Sequence, residues 1–292
     1  MIRKIYAKSL LSTVANGPDA MFGLTYNMNL YRGCQHGCIY CDSRSACYRI
    51  ENFDDILIKE NAPELLAREL GAKKKKGTIG TGSMNDPYMP LEKEAGRTRQ
   101  ALQIIGQHQF PVHVLTKSDL VRRDIDLLQE IGRIYAAVSL TITTADDDLA
   151  QRLEPGAPPS SVRFATLREL TARGIYAGII LTPVLPFITD PPGNIAAIVQ
   201  RGKQAGARYI LFWPGMTLRD GQREYYYQRL DRLFPGLTEQ YRRRYRNDYS
   251  CDAPGHEMLT ETFQQTCRQE AIATKMAFYR RPAAEQTPLF PN

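Results

Sequence analysis

The stretch that decides the reading is Tyr31-Arg32-Gly33-Cys34-Gln35-His36-Gly37-Cys38-Ile39-Tyr40-Cys41, which sets three thiols at the spacing C-x3-C-x2-C. Three thiolates this close suit three corners of a four-iron cluster and leave the fourth iron open to an outside ligand. Ferredoxin-type clusters close every corner with cysteine and structural zinc sites want four ligands, so a bare triplet points to a cluster that binds something. Gly33 and Gly37 let a tight loop pass close to a bulky inorganic core, and Tyr40 places an aromatic ring between the last two thiols. The competing reading is a zinc loop completed by His36 or Cys47, or a set of unligated core cysteines.

The chain around this loop has 292 residues, 43% hydrophobic and 24% charged, enough for one large domain with an extension. Of six cysteines, three are committed to the loop and Cys47, Cys251 and Cys267 are scattered, which favours a reducing cytoplasm over a disulfide framework. The opening residues imitate a signal peptide, but their apolar part is interrupted and short. The most apolar run, Gly178 to Ile188, is broken by Pro183 and Pro186, so no membrane span is expected. A formal charge of +7 permits an anionic partner such as nucleic acid without requiring one.

Phe22 to Leu30 is rich in β-formers and reads as a strand delivering the chain into the cysteine loop. Ile56–Ile58 reads as a short strand, and Asn61-Ala62-Pro63-Glu64 caps a helix through Leu70. Lys73 to Lys76 reads as a solvated turn. Strand-then-helix units follow: strands Thr78–Gly82, Val112–Thr116, Tyr135–Thr143, Ile175–Leu181 and Tyr209–Phe212, and helices Leu91–Gln107, Asp124–Ile131, Ser160–Arg173 and Asn194–Gln204. Such alternation predicts a parallel sheet with right-handed crossovers. The expected fold is therefore α/β, a partial (β/α)6 TIM-type barrel over residues 1–215, with working groups at the carboxyl ends of the strands. Residues 216–292 form a helical C-terminal extension with a flexible tail. Its Tyr225-Tyr226-Tyr227 and Arg242-Arg243-Arg244-Tyr245-Arg246 suit either a grip on single-stranded nucleic acid or tyrosines packed on the barrel with solvated arginines.

The C-x3-C-x-Tyr-C motif resembles the signature of the radical S-adenosylmethionine (SAM) superfamily. Gly80-Thr81-Gly82-Ser83-Met84-Asn85-Asp86-Pro87-Tyr88 with Glu92, Leu115-Thr116-Lys117-Ser118 and Leu153-Glu154-Pro155-Gly156-Ala157-Pro158 narrow the likeness to the spore photoproduct lyase family and its relatives. The resemblance implies a 4Fe-4S cluster on Cys34, Cys38 and Cys41, and SAM as co-substrate. It further implies reductive cleavage to a 5'-deoxyadenosyl radical for hydrogen abstraction, with an electron donor such as flavodoxin or ferredoxin. Thr81, Gly82 and Ser83 follow the second strand of the repeat and offer hydroxyls and open backbone for the cofactor's ammonium end, as the resemblance also implies; a turn on Asp86-Pro87 fits the same stretch. Lys117 ends an apolar strand, so its charge points into the barrel mouth, and the family implies a partner in the SAM carboxylate. Ser139, Thr141 and Thr143 alternate along one strand face, fit for ribose hydroxyls. Ile179 is expected beside the adenine, and Tyr40 contacts adenine by family analogy.

Thr78 to Asp86 contains no cysteine, whereas the thymine-dimer-repairing lyase carries its hydrogen-donating cysteine there; Asp42 also replaces that enzyme's tyrosine. Repair by the same mechanism is not expected, and a nucleic-acid or damaged-base substrate, a peptide or a small metabolite stay open, as does a non-catalytic iron-sulfur or zinc protein. Cys251, in the loop-like Ser250-Cys251-Asp252-Ala253-Pro254-Gly255-His256, is the candidate hydrogen donor, while Cys267 falls on a helix and is read as packed. Gln286-Thr287-Pro288-Leu289-Phe290 fits the Q-x-x-L-F form of peptides that dock on the replication sliding clamp, with Gln286, Leu289 and Phe290 as contacts.

Overall fold

The computed structural model describes residues 1–15, 18–50 and 52–281. The chain opens with β1 (Ile2–Ile5), β2 (Leu11–Thr13), β3 (Leu24–Met28), β4 (Tyr31–Arg32) and β5 (Ile56–Lys59). Then come α1 (Ala62–Ala72), β6 (Thr78–Thr81), α2 (Glu92–Ala95), α3 (Arg97–Gln107), β7 (Val112–Thr116), α4 (Ile125–Gly132) and β8 (Ala136–Thr141). The barrel half ends with α5 (Asp147–Leu153), α6 (Ser160–Ala172), β9 (Tyr176–Leu181), α7 (Pro192–Gln204) and β10 (Ile210–Phe212).

The main sheet runs β10-β9-β8-β7-β6-β3-β2, and β3, β6, β7, β8, β9 and β10 are all parallel, with β2 antiparallel at the edge. This is the expected open six-unit barrel, with β3 and β10 as its unjoined ends. Helices cover its outside: α3 turns Thr98, Ala101, Leu102 and Ile105 inward, a stripe at helical spacing that excludes water from the sheet. Strands covered on both sides carry near-continuous apolar runs, which is why Val112–Thr116 was legible as a strand. The barrel interior is filled below its mouth, where His113 Nε2 and Ser139 Oγ lie 2.8 Å apart, Ser139 Oγ and the Tyr209 hydroxyl 2.7 Å apart, and Phe22 packs on the His113 ring.

The helix expected over Leu91–Gln107 is instead two, α2 and α3. Gly96 takes a left-handed conformation (φ 62°) and Thr98 donates its backbone N–H to the Glu92 carboxylate (3.0 Å), so the first turn restarts there. β1, β4 and β5 form a small side sheet that braces the cysteine loop. Beyond β10 the chain makes β11 (Gly215–Thr217), α8 (Gln222–Leu233), α9 (Leu237–Tyr245), β12 (Ser250–Asp252) and α10 (His256–Gln269). β11 and β12 pair antiparallel, and Ile210 donates its backbone N–H to Ala273 (2.9 Å), returning the chain to the barrel edge. Tyr226, Tyr227, Tyr241 and Tyr245 are buried in one cluster with Cys38, Ile39 and Tyr40, while Arg242, Arg243 and Arg244 are exposed. The packed arrangement of the tyrosines is thus the one observed. Among the described residues no helix is long and apolar enough to cross a membrane. Gln286, Leu289 and Phe290 lie outside the described residues.

Candidate active site

The cysteine loop leaves β4 at Gly33 (φ 79°), where a Cβ would lie 2.5 Å from the Asp55 carbonyl oxygen and 2.6 Å from that of Phe53, so only glycine fits. The segment after α5 clamps the loop's outer side: Ile39 N–H donates to Leu153 O (2.9 Å) and Gly156 N–H to His36 O (2.8 Å). Gly156 sits so close that a Cβ there would lie 2.2 Å from Gln35 O. Gln35 accepts from Leu91 N–H (2.6 Å), and Gln222 of α8 donates to Tyr40 O (2.9 Å). The Leu153–Pro158 motif therefore has a local physical purpose, which is to hold the thiol loop against the barrel mouth.

Cys34, Cys38 and Cys41 line one cavity of about 270 Å³, together with Gly82, Ser83, Lys117 and Thr141. Burial pushes the Cys34 thiol up to about 12 and raises Cys38 and Cys41 in the same direction, against the lowering pull of Lys117 on the latter two. Thiols held protonated by desolvation become thiolates only when a cation takes the proton's place, and iron supplies such a cation. Among the described residues no three His, Cys, Asp or Glu side chains converge on a single ion. The three thiols instead share one cavity wall, beside strand ends carrying hydroxyl and ammonium groups, and this donor set fits a cluster with one open corner. Of the alternative ligands, His36 Nδ1 lies 3.3 Å from Asp86, and Cys47 is exposed and accepts from Arg219 (3.3 Å).

Behind the thiols lies a buried charge network. Glu154 accepts from the Tyr40 hydroxyl and pairs with Arg163, which also donates to Pro158 O (2.8 Å) and Thr141 O (3.0 Å). Burial would raise the Glu154 carboxyl, but Arg163, then Lys117 and the Tyr40 hydroxyl, bring it below its ordinary value. Asp86 behaves alike: burial opposes ionisation, yet His36, the Thr116 hydroxyl (2.6 Å) and the Lys117 backbone N–H (2.7 Å) hold it at about 2. Burial pulls the Lys117 ammonium down, and Cys38, Glu154 and Asp86 more than restore it, so its titration lies above the ordinary value. Its Nζ stands 5.7 Å above the Tyr40 ring.

Sequence reasoning located Tyr40, Gly82, Ser83, Lys117 and Thr141, all of which line this cavity. Ser83 is held there by Asn27, whose amide donates to its Oγ (2.8 Å). Three expected cofactor contacts stand elsewhere. Thr81 pairs with Val114 while Gly80 pairs with His113, whose ring is inside the barrel, so the pleat turns the Thr81 side chain outward. Ser139 points inward but one layer down, occupied by His113 and Tyr209. Ile179 faces α7, since a Cβ on Gly202 would lie 2.8 Å from its Cδ1. Cys251 is not in a loop but on β12, fully buried, its thiol 3.8 Å from Asp248 O; its cross-strand neighbour Met216 lines the cavity and Cys251 does not. Missed were Met84, Asp86, Trp213, Met216 and Thr217 on the cavity wall. Trp213, the only tryptophan, directly follows an apolar strand, and that position was a usable signal.

Residues 28–217 match the family model of the radical SAM superfamily, and the chain belongs to that superfamily. It is a radical SAM enzyme whose fold is that of spore photoproduct lyase: superposition on that lyase complexed with dinucleoside spore photoproduct gives a TM-score of 0.69 at 15% identity, covering 92% of this chain and 79% of the other. An uncharacterized protein of Mycobacterium tuberculosis is 28% identical over 97% of this chain and 84% of its own length. One from Methanocaldococcus jannaschii is 34% identical over 65% of this chain and 70% of its own. A protein of Pseudomonas phage M6, the radical SAM Nalpha-GlyT isomerase, is 27% identical over 61% of this chain and 36% of its length.

Proposed function

We propose that this enzyme holds a 4Fe-4S cluster on Cys34, Cys38 and Cys41 and SAM in the same cavity, and abstracts a hydrogen atom from a nucleic-acid substrate. The carrying observation is the convergence of the triplet with Ser83, Lys117 and Thr141 on one cavity at the strand ends. Held there and reduced, the cluster and SAM would supply one-electron cleavage of the sulfonium and so the means to take a hydrogen atom from a substrate. The protein's own groups bind, orient and screen. Lys117, cationic and free at its Nζ to meet a carboxylate, anchors one end of the cofactor. Asp86 does not neutralise it, because that carboxylate accepts from Thr116 Oγ1 and the Lys117 backbone instead. Ser83, held by Asn27, and the open backbone at Gly82 receive the ammonium end. Thr141 is the strand-end hydroxyl left for the ribose. Met84, Leu115, Pro183, Trp213 and Met216 form an apolar wall that keeps water from a reactive intermediate.

The nucleic-acid assignment is supported by the basic charge, by the exposed Arg242–Arg244 and by the fold shared with a lyase complexed with a dinucleoside. The cavity contains no thiol outside the triplet among the described residues, so the product radical is not quenched as in a cysteine-dependent repair enzyme. A cytoplasmic setting and a dedicated one-electron donor complete the reading. Anaerobic reconstitution tests it: about four irons and four sulfides per chain, and 5'-deoxyadenosine on adding dithionite and SAM, are expected. Zinc without sulfide, or intact SAM, would remove it.

A further inference from the structure

We propose that the buried Glu154–Arg163 pair is a positioning device: it ties Tyr40 of the thiol loop to the Thr141 end of β8, and so fixes the two walls between which the nucleoside half of SAM is held. This rests on the function assigned above and adds to it two residues that do not touch the cofactor. Tyr40 and Thr141 line the cavity, whereas Glu154 and Arg163 lie behind it. Among the described residues theirs is the one ion pair whose side chains are both wholly buried, at 0% exposure each. Arg163 stands on α6 and directs its three nitrogens to three different segments. Nε donates to Pro158 O of the clamp (2.8 Å), Nη1 donates to Thr141 O (3.0 Å), and Nη2 meets the Glu154 carboxylate. The other carboxylate oxygen of Glu154 accepts from the Tyr40 hydroxyl, with the Thr143 hydroxyl 3.4 Å away. Hydroxyl, carboxylate, guanidinium and carbonyl thus form one unbroken chain of contacts from the loop to the strand end.

Stability does not account for the pair. The cost of withdrawing two charges from water is at best roughly offset by their attraction, and well-packed apolar residues in their place are often neutral or stabilising. Nor does the loop backbone need the Tyr40 hydroxyl: Ile39 N–H to Leu153 O (2.9 Å) and Gln222 to Tyr40 O (2.9 Å) already hold it. Buried Phe164, Leu167 and Leu170 likewise anchor α6 without Arg163. What the pair adds is direction. A phenol ring is otherwise free to change rotamer, and a carboxylate on its hydroxyl, itself held in a guanidinium fork, removes that freedom. The same guanidinium holds the Thr141 carbonyl, so ring and strand end keep one spacing. The Lys117 Nζ, 5.7 Å from the Tyr40 ring, gains a fixed neighbour by the same means. Positioning of this kind acts on turnover more than on affinity, since a misplacement of about 1 Å can cost about a hundredfold in rate.

The test compares E154L/R163M with the parent protein, both reconstituted anaerobically. An apolar pair in place of the charged one should leave the melting temperature of the iron-free protein, and the iron retained per chain, at or near the parent's. SAM should still bind through Lys117 and Ser83, with its affinity by calorimetry within about threefold, while dithionite-driven 5'-deoxyadenosine per bound iron falls about ten- to a hundredfold, a loss in kcat rather than a rise in KM. Tyr40→Phe, which keeps the ring and removes only the hydroxyl, should show the same loss, and it decides alone if the double variant does not fold. Parental turnover per iron in either folded variant, a rise in KM with kcat kept, or a loss confined to melting temperature and iron content overturns the positioning role. A parent protein that holds no iron and sulfide, or that leaves SAM intact, overturns the functional reading instead.

Discussion

On the proposed function, Lys117 anchors the cofactor's carboxylate, and its surroundings suit it to that role. It is half-buried at the end of β7 and ringed by Cys38, Glu154 and Asp86, which keep it cationic against the cost of desolvation. Charge-assisted hydrogen bonds are worth about 1.5–3 kcal/mol, so Lys117→Ala should weaken SAM binding by about 10- to 100-fold, measured by calorimetry on reconstituted protein. His113 tests the interior rather than the mouth. Burial drives its titration down to about 3, so in the folded barrel it stays neutral. The unfolded chain takes up a proton near 6.5 that the folded one refuses until about 3. This group's contribution is therefore complete above the unfolded value and is lost as pH falls through that window, at up to about 1.4 kcal/mol per pH unit. Melting temperature should drop between neutral pH and pH 4.5 or so, and the drop should be shallower in His113→Gln; parallel profiles would exclude His113 as its source.

At the level of elements, the segment joining α5 to α6 is a clamp. Its grip depends on the absence of a side chain at Gly156, where a methyl group would lie 2.2 Å from Gln35 O. Overpacking of this kind costs about 1–3 kcal/mol. Gly156→Ala should lower iron retained per chain after reconstitution and lower the melting temperature, while dithionite-driven turnover per bound iron falls as well. Full iron retention would show that the loop keeps its shape without the clamp. The alternation of strands and helices was legible because short, nearly continuous apolar runs alternate with longer stretches at the helical period of 3.6. The break at Gly96 was not, since the helical pattern continues on both sides of it. β11 and β12, three residues each, are too short to carry a period. Side-chain facing failed for Thr81 and Ile179 for a different reason: strand parity is set by register against neighbours, and one residue's error exchanges inside for outside. Trp213 and Met216 reach the cavity through chain return, which no local pattern reports.

Across the whole molecule, the basic extension packs on the barrel that carries the cavity. Arg242–Arg244 are exposed on α9, while Tyr241 and Tyr245, which flank them, are buried. If nucleic acid runs along α9, neutralising these three arginines should weaken binding and reduce the salt slope by about 2 to 3. A slope equal to the parent's would place the substrate elsewhere. Deleting Gln286 to Phe290 should abolish capture by the sliding clamp and leave SAM cleavage as it was; equal recovery of both forms would defeat clamp docking. The shared core of the extension and the cysteine loop carries a last implication. Because Tyr226, Tyr241 and Tyr245 pack in one cluster with Cys38 and Tyr40, the extension is the roof over the thiol loop. On the proposed function, replacing Tyr226 or Tyr241 by alanine should open this roof and show itself as faster loss of the reconstituted protein's brown colour in air; an unchanged bleaching rate would show that the loop is shielded without it.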